Sequence, residues 1–439
     1  MRLPLRTTVV TAVLALATAG AATASPGFLE DDVVVIDTLT DGDPGGWFGW
    51  VAANIGDVDA DGVDDLAVPS PGPGNGNWAG AVRVFSGATR AMLAEHVGSP
   101  LSGLGYSTSG AGDVDGDGLP DYVAGAPGVT STQPGRVVVW SGADHSVLLD
   151  LSGPAGEFWG ASVAAAGDLD DDGHGDILVG ATVADGSRGQ LQARSGADGS
   201  LLWSISGRKS GDGLGSAAGL VDDVDGDGTP DLVVGASGAK QGRGTAWVVS
   251  GTDGSTIHQL NPQGDGVWFG EFFASGAGDV DGDGIGDVFV GDYSAGKAQQ
   301  PRQPNPPAYP VGSGAAYVFS GANGERLHRF EAEIPGEGVG PGRGVGDVDG
   351  DGHADLIVGG YRSNAGAPFA GKAWVRSGRT GEVLQEITST TAGELFGVDA
   401  LGLGDVDGDG MTDFVVTAVG ASFAGTGAGT VYVIAGTTG

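Results

Sequence analysis

Residues 112–121 read GDVDGDGLPD, with aspartates at 113, 115, 117 and 121. Four carboxylates within nine residues repel one another in any compact fold unless a cation sits among them. The same phrase starts at Asp57, Asp113, Asp168, Asp223, Asp279, Asp347 and Asp405, in steps of 56, 55, 55, 56, 68 and 58 residues. That is one unit in seven copies, with a single insertion between the fifth and the sixth.

Every unit has its parts in the same order. An apolar residue and a glycine come first: Phe48-Gly49, Leu104-Gly105, Trp159-Gly160, Leu214-Gly215, Phe269-Gly270, Val339-Gly340 and Phe396-Gly397. The acidic phrase follows, then a short apolar run such as DYVAGAP (121–127), DILVGA (176–181) or DLVVGA (231–236). A second run ends in Ser-Gly in most units, as in GRVVVWSG (135–142) and GTAWVVSG (244–251), and a turn leads to a third, such as SLLWSIS (200–206). These runs are short, rich in Val, Ile and aromatics, and bounded by Gly, Asp or Pro, so they are strands. No stretch keeps a helical period over about ten residues. About four strands per unit at this spacing predict an all-β fold, a seven-bladed β-propeller of four-stranded antiparallel blades.

The last unit stops at GTVYVIAGTTG (429–439), before a third run, whereas DDVVVIDTL (31–39) stands ahead of the first Phe-Gly. Val33–Asp37 is therefore expected to complete the seventh blade by pairing with Val431–Ile434. Closing the ring in this way removes exposed sheet edges.

The acidic spacing is D-x-D-x-D-G-x-x-D in all seven copies. Calcium takes six to eight oxygen ligands at about 2.3–2.6 Å, and alternate aspartates of a tight loop can turn toward one centre. Glycine at position six permits the reversal. Position seven offers its backbone carbonyl, and the aspartate at position nine closes the shell. The expected ligands are Asp57, Asp59, Asp61, Val63 and Asp65 in the first loop and Asp113, Asp115, Asp117, Leu119 and Asp121 in the second. The third and fourth hold Asp168, Asp170, Asp172, His174 and Asp176, then Asp223, Asp225, Asp227, Thr229 and Asp231. The fifth has Asp279, Asp281, Asp283, Ile285 and Asp287. The sixth and seventh have Asp347, Asp349, Asp351, His353 and Asp355, then Asp405, Asp407, Asp409, Met411 and Asp413. An EF-hand would need Glu at position twelve and flanking helices. Position twelve is instead Val68, Ala124, Val179, Val234, Val290, Val358 and Val416, all inside expected strands. About seven structural Ca²⁺ ions are expected, in strand-to-strand loops that leave little room for a substrate.

The order Phe-Gly, then DxDxDGxxD, then Gly-Ala-Pro resembles the FG-GAP repeat of the integrin alpha-chain N-terminal β-propeller. Gly125-Ala126-Pro127 matches the third motif in full, while Val68-Pro69-Ser70, Gly291-Asp292, Gly359-Gly360 and Thr417-Ala418 depart from it. The resemblance covers about Val33 to Gly439. It implies calcium in the blade hairpins, on the face opposite the ligand-binding one, and recognition of extracellular proteins in cell adhesion.

Residues 1–24 read as a cleaved secretory leader: Arg2 and Arg6, an apolar stretch over Val9–Ala17, and Ala22-Thr23-Ala24 before the cut. The domain layout is thus a leader at 1–24 and a propeller at 25–439, secreted or at the cell surface. Losing two arginines and no acid takes the formal charge from -36 to -38, and seven calcium ions would bring it to -24. Such a chain repels nucleic acid and anionic lipid. It contains no cysteine, so no disulfide supports it. The composition contains no apolar run long enough to span a membrane after the leader.

No serine sits in G-x-S-x-G, and no Cys nucleophile exists. His174 and His353 occupy position seven of acidic loops and are expected to turn their rings to solvent. His96, His145, His258 and His328 fall in turns or third runs without a recurrent acidic partner. Of the aromatics before glycine (Trp47-Phe48, Phe158-Trp159, Trp268-Phe269), one of each pair is expected between blades and the other partly exposed. Asp64, Asp171 and Asp222 are expected to face water. The Pro-rich insertion at 292–314, with Lys297 and Arg302, is a candidate binding loop. The reading is a non-enzymatic, monomeric calcium-binding module for an extracellular protein or carbohydrate ligand. The alternative is an extracellular hydrolase or lyase acting on polysaccharide or lipid.

Overall fold

The computed structural model describes residues 27–72, 74, 77–262, 266–295, 312–421 and 427–437. The leader and most of the insertion, 296–311, lie outside the described residues.

The strands form seven four-stranded antiparallel sheets. The first blade runs Ala53–Gly56, Asp65–Ser70, Ala81–Phe85 and Met92–Val97, from the axis outward. Five more blades repeat this meander with strands consecutive in sequence. The first strands of neighbouring blades lie side by side around the ring, that of the seventh blade returning to the first. The seven-bladed propeller expected from the repeat is what the chain forms.

The seventh blade takes Phe396–Gly404, Asp413–Ala418 and Thr430–Ile434 from the end of the chain, and its outermost strand, Val35–Leu39, from the beginning. Val35 lies opposite Ile434 and Leu39 opposite Val431. The closure is as expected, with the N-terminal strand set two residues later. Val33 stands before the paired segment, with its side chain buried in the core between the last two blades. Further back, Phe28 bridges to Ser389 of blade six and packs edge-on to Phe396 and Tyr432, with centroids at 5.4 and 5.7 Å. The N-terminal segment therefore holds two blades.

The apolar core is divided into seven clusters, each drawn mainly from two adjacent blades. The last seam joins Phe48, Leu66 and Val68 of blade one to Leu401, Leu403, Val415, Val431 and Val433 of blade seven. The apolar residue of every Phe-Gly-type pair enters these seams: Phe48, Leu104, Trp159, Leu214, Phe269, Val339 and Phe396 are all at most 3% exposed. Val339 thus fills the aromatic position of the one divergent copy.

The glycine after it lies against the second strand of the preceding blade. A Cβ on Gly125 would stand 2.0 Å from the carbonyl oxygen of Gly160; for Gly235 and Gly270 the distance is 1.9 Å, for Gly359 and Gly397 2.1 Å. The two glycine motifs are the two sides of one backbone-to-backbone contact. Where the second motif carries Pro69 or Thr417, the partner glycines Gly105 (φ +86°) and Gly49 (φ +76°) make the room instead. Gly235→Ala is expected to cost about 1–3 kcal/mol through overpacking, read as a lower urea midpoint. An unchanged midpoint would mean that adjacent blades do not approach this closely.

Candidate metal centres

Each acidic loop joins the first strand of a blade to the second, so all seven lie at one end of the ring. In the second loop, Oδ1 of Asp113 accepts the amides of Gly116 and Asp117 at 2.7 and 3.1 Å, and Oδ2 that of Gly118 at 2.9 Å. Asp115 accepts Asp117 N at 3.1 Å, and Asp117 accepts Leu119 N at 2.9 Å. The fourth, fifth, sixth and seventh loops repeat this set. Carboxylates held by their own loop amides converge: Asp57, Asp59 and Asp61 offer oxygens within 4.8 Å of one another, as do Asp113, Asp115 and Asp121. The same holds for Asp168, Asp170 and Asp176, for Asp223, Asp225 and Asp227, and for Asp279, Asp281 and Asp287.

Glycine at position six has a positive φ in every loop, from 88° at Gly284 to 94° at Gly228. Position four does too, a requirement the sequence reading missed. It is glycine in five loops, but Ala60 (φ +60°) and Asp171 (φ +58°) in the first and third. The five glycines were the available signal.

Position nine is the anchor. Asp65, Asp121, Asp176, Asp231, Asp287, Asp355 and Asp413 are 0% exposed. Oδ2 of Asp121 accepts Val114 N at 2.7 Å, and Oδ1 accepts Gly142 N at 2.8 Å. Gly142 is the glycine of the Ser-Gly pair that ends the third strand. The equivalent glycines 87, 196, 251, 321, 378 and 436 bond the other six aspartates. Ser-Gly therefore clamps the loop to the blade, which the sequence alone did not reveal. Burial pushes these carboxyls up, against the opposing pull of their amide bonds. Asp65, Asp121, Asp176, Asp287 and Asp413 rise to about 6, and Asp231 and Asp355 also rise. Burial first, then neighbouring aspartates, also raises Asp59 and Asp170. Converging, partly desolvated carboxylates with backbone amides already fixed around them are a donor set that fits a hard divalent cation.

The expectation for His174 and His353 is corrected. Neither ring is free in solvent: Nδ1 of His174 bonds Val114 O at 2.8 Å and that of His353 bonds Val280 O at 2.9 Å, each in the loop of the preceding blade. The next amide does the same, Gly175 N to Asp113 O at 2.7 Å and Ala354 N to Asp279 O at 2.8 Å. The backbone of one acidic loop thus buttresses its neighbour. Asp64 is also half-buried, accepting Asn54 Nδ2 at 2.8 Å, whereas Asp171 and Asp222 are exposed as expected. His258 and His328 bond the carbonyls of Gly321 and Gly378, the Ser-Gly glycines of the following blades, as Trp203 does to Gly251. His96 and His145 both bond the buried Tyr122 hydroxyl.

The opposite end carries rings. Phe48, Trp159 and Phe269 are buried while Trp47, Phe158 and Trp268 are half-exposed, as expected. The half-exposed ones have left-handed backbones, φ +61°, +54° and +63°. Trp47, Trp50, Trp78, Tyr106, Phe158 and Pro71 line a recess of about 220 Å³. Trp50 meets Phe272 of blade five at 5.9 Å beside the axis. Sequence reading expected Trp47 and Phe158 to be partly exposed and made no assignment for Trp50, Trp78 or Tyr106, so it missed their gathering. The axial channel, about 210 Å³, is walled by small residues and by Arg343, whose guanidinium bonds the buried Asp399 of blade seven at 2.6 Å. The insertion leaves this end from a closed base, Gly314 N bonding Ala295 O at 3.0 Å. Among the described residues no helix is long and apolar enough to cross a membrane.

Comparison with known proteins agrees with the repeat. The FG-GAP repeat model matches residues 104–140, 159–195 and 214–249, and the FG-GAP-like repeat model matches 347–416. The chain carries FG-GAP repeats and is similar to integrin alpha chains. Integrin alpha-5 of Xenopus laevis is 33% identical over 216 residues, 44% of this chain and 20% of that one. Integrin alpha pat-2 of Caenorhabditis elegans is 31% identical over 227 residues, 44% of this chain and 18% of that one. The chain thus spans about a fifth of the length of these relatives. A solved structure described as "Structure of Dos1 propeller" aligns over 92% of this chain and 78% of that chain, at 10% identity and a TM-score of 0.46.

Two outcomes are expected. Ala60→Gly relieves a left-handed alanine and should stabilise the fold by about 1 kcal/mol, measured by denaturant unfolding; destabilisation would contradict the loop geometry. In metal-free protein Asp65, Asp121, Asp176, Asp287 and Asp413 bind protons more tightly folded, near 6, than at their ordinary 3.8. Their contribution is therefore fully present below about pH 4 and lost as pH rises through about 6. Melts in excess chelator should fall over that window, and a flat profile would count against it.

Proposed function

We propose that this is a secreted, calcium-loaded propeller acting as an extracellular binding or adhesion module, without catalysis of its own. The observation that carries this is the sevenfold loop with converging carboxylates and a buried fourth aspartate. Held in it, calcium would be liganded by the aspartates at positions one, three, five and nine and the carbonyl at position seven. Its charge would offset the repulsion among them. The neighbour-to-neighbour bonds of His174 and His353 would then extend loop order around the ring.

Calcium here is structural, since the loop supplies the ligands and the metal end is made of short, anchored turns. Ligand recognition is assigned to the other end, where Trp47, Trp50, Trp78, Tyr106 and Phe158 present a largely apolar recess on a rigid base. Aromatic anchors in a recess are what binding surfaces use. The printed names of the relatives, integrin alpha chains, are in keeping with an adhesion role. Export follows from the leader-like residues 1–24, and the absence of cysteine suits a fold held by metal instead of disulfides.

The deciding experiment is calorimetric titration of the mature chain with calcium, which should give about seven sites. Excess chelator should lower the melting temperature by on the order of 10 °C. No heat and no shift would overturn the metal reading. Separately, Trp50→Ala with Trp78→Ala should abolish capture of extracellular ligand by the calcium-loaded protein while leaving its melt within about 2 °C. Undiminished capture would remove the aromatic end from the proposal.

A further inference from the structure

Basic residues are scarce in this chain, 20 Lys and Arg against 56 Asp and Glu, yet Arg208 and Arg243 lie close enough to Lys240 to act on its charge, and Lys209 follows Arg208 in the chain. Arg208 and Lys209 lie in the connection from blade three to blade four, Lys240 and Arg243 in the turn between the second and third strands of blade four. Gly238 N bonds Asp212 O at 3.0 Å and ties the two segments together. All four basic side chains belong to exposed residues. The one acid in the two segments, Asp212, is buried and turned inward onto Lys209 N at 2.8 Å.

The turn is built to hold this arrangement. Lys240 and Gln241 both have left-handed backbones, φ +52° and +66°, without being glycine. The matching turn of blade three has the same shape, with φ +54° at Asp185 and +70° at Gly186, so the two turns differ in their side chains and not in their backbone. Lys240 Nζ bonds the neutral Asn261 side chain, and Arg208 lies over the Trp247 ring at 5.5 Å, so neither is met there by a carboxylate. Burial first, and then the nearby Arg243 and Arg208, lower the Lys240 ammonium below its ordinary value. The matching turn of blade three differs: Asp185 neutralises Arg188 at 2.5 Å. Half-exposed Trp268 adjoins the blade-four turn, its amide bonding Gly242 O at 3.0 Å.

We propose that this rim of blade four, centred on Arg208, Lys209 and Lys240 and flanked by Trp268, binds an anionic polysaccharide. Juxtaposed cations attract sulfate or carboxylate groups. A flexible polymer touches the rim alone, whereas a membrane would bring its negative surface against an acidic body. The acidic loops lie at the opposite end, beyond the screening length of about 8 Å at physiological salt. This surface is separate from the aromatic recess and from the calcium loops, so the proposal stands or falls independently of them.

The test is retention of the calcium-loaded mature protein on immobilised heparin as a sulfated probe. Neutral dextran, duplex DNA and phosphatidylserine vesicles serve as comparisons. The expected result is heparin binding that weakens steeply with salt and drops at least about tenfold in the triple variant R208A/K209A/K240A. A charge-matched variant, R136A/R326A/R379A, should bind as the parent does. Both variants change exposed or half-exposed side chains, and equal melts would establish that both fold. Three results would overturn the proposal: no heparin binding, equal loss in both variants, or binding abolished by chelator and unaffected by R208A/K209A/K240A, which would mean calcium bridging. Stronger binding to DNA or to vesicles than to heparin would overturn the polysaccharide assignment.

Discussion

A carboxylate out of reach of water stands at the head of the second strand of every blade, and the molecule is arranged around it. With no water, that group must find its partners in the protein. It takes one amide from the loop before it and one from the glycine of the turn after the third strand (Ser-Gly in six blades, Ala435-Gly436 in the seventh), so loop, sheet and turn become one unit. The remaining aspartates of the loop are drawn to the same point by their own amides. Compactness and clustered charge are thus imposed together, which is why the loop makes sense as a cation site.

The blades are joined by a different device. Side chains fill the seams, but the closest approach is between backbones, glycine against glycine, where even a methyl group would collide. That contact fixes the spacing of adjacent sheets. Hydrogen bonds from the fourth strand of one blade to the Ser-Gly glycine of the next, made by Trp203, His258 and His328, lock the outer edges to the same spacing. The final seam depends on a strand from the start of the chain, so the ring is complete only when both termini have folded.

The antiparallel meander also separates chemistries. Loops between first and second strands all emerge at one end and gather the acids. Connections between blades, and loops between second and third strands, emerge at the other and carry the rings, the insertion and the cluster at Arg208. Left-handed tryptophan and phenylalanine residues at this second end show the backbone bent to present side chains where glycine would have sufficed.

What the sequence determined by itself was whatever repeats at a fixed interval. Strand length, the D-x-D-x-D-G-x-x-D spacing, the apolar position twelve and the split third run at the ends of the chain are local or periodic. They carried the blade count and the closure. Position four of the loop was legible in five glycines and overlooked because Ala60 and Asp171 break the pattern. Only tertiary structure could decide what crosses between blades, because those contacts join residues of different units that no single unit contains. The Gly125–Gly160 contact, the turn of His174 onto Val114 and the meeting of Trp50 with Phe272 all depend on how one rigid sheet packs on the others.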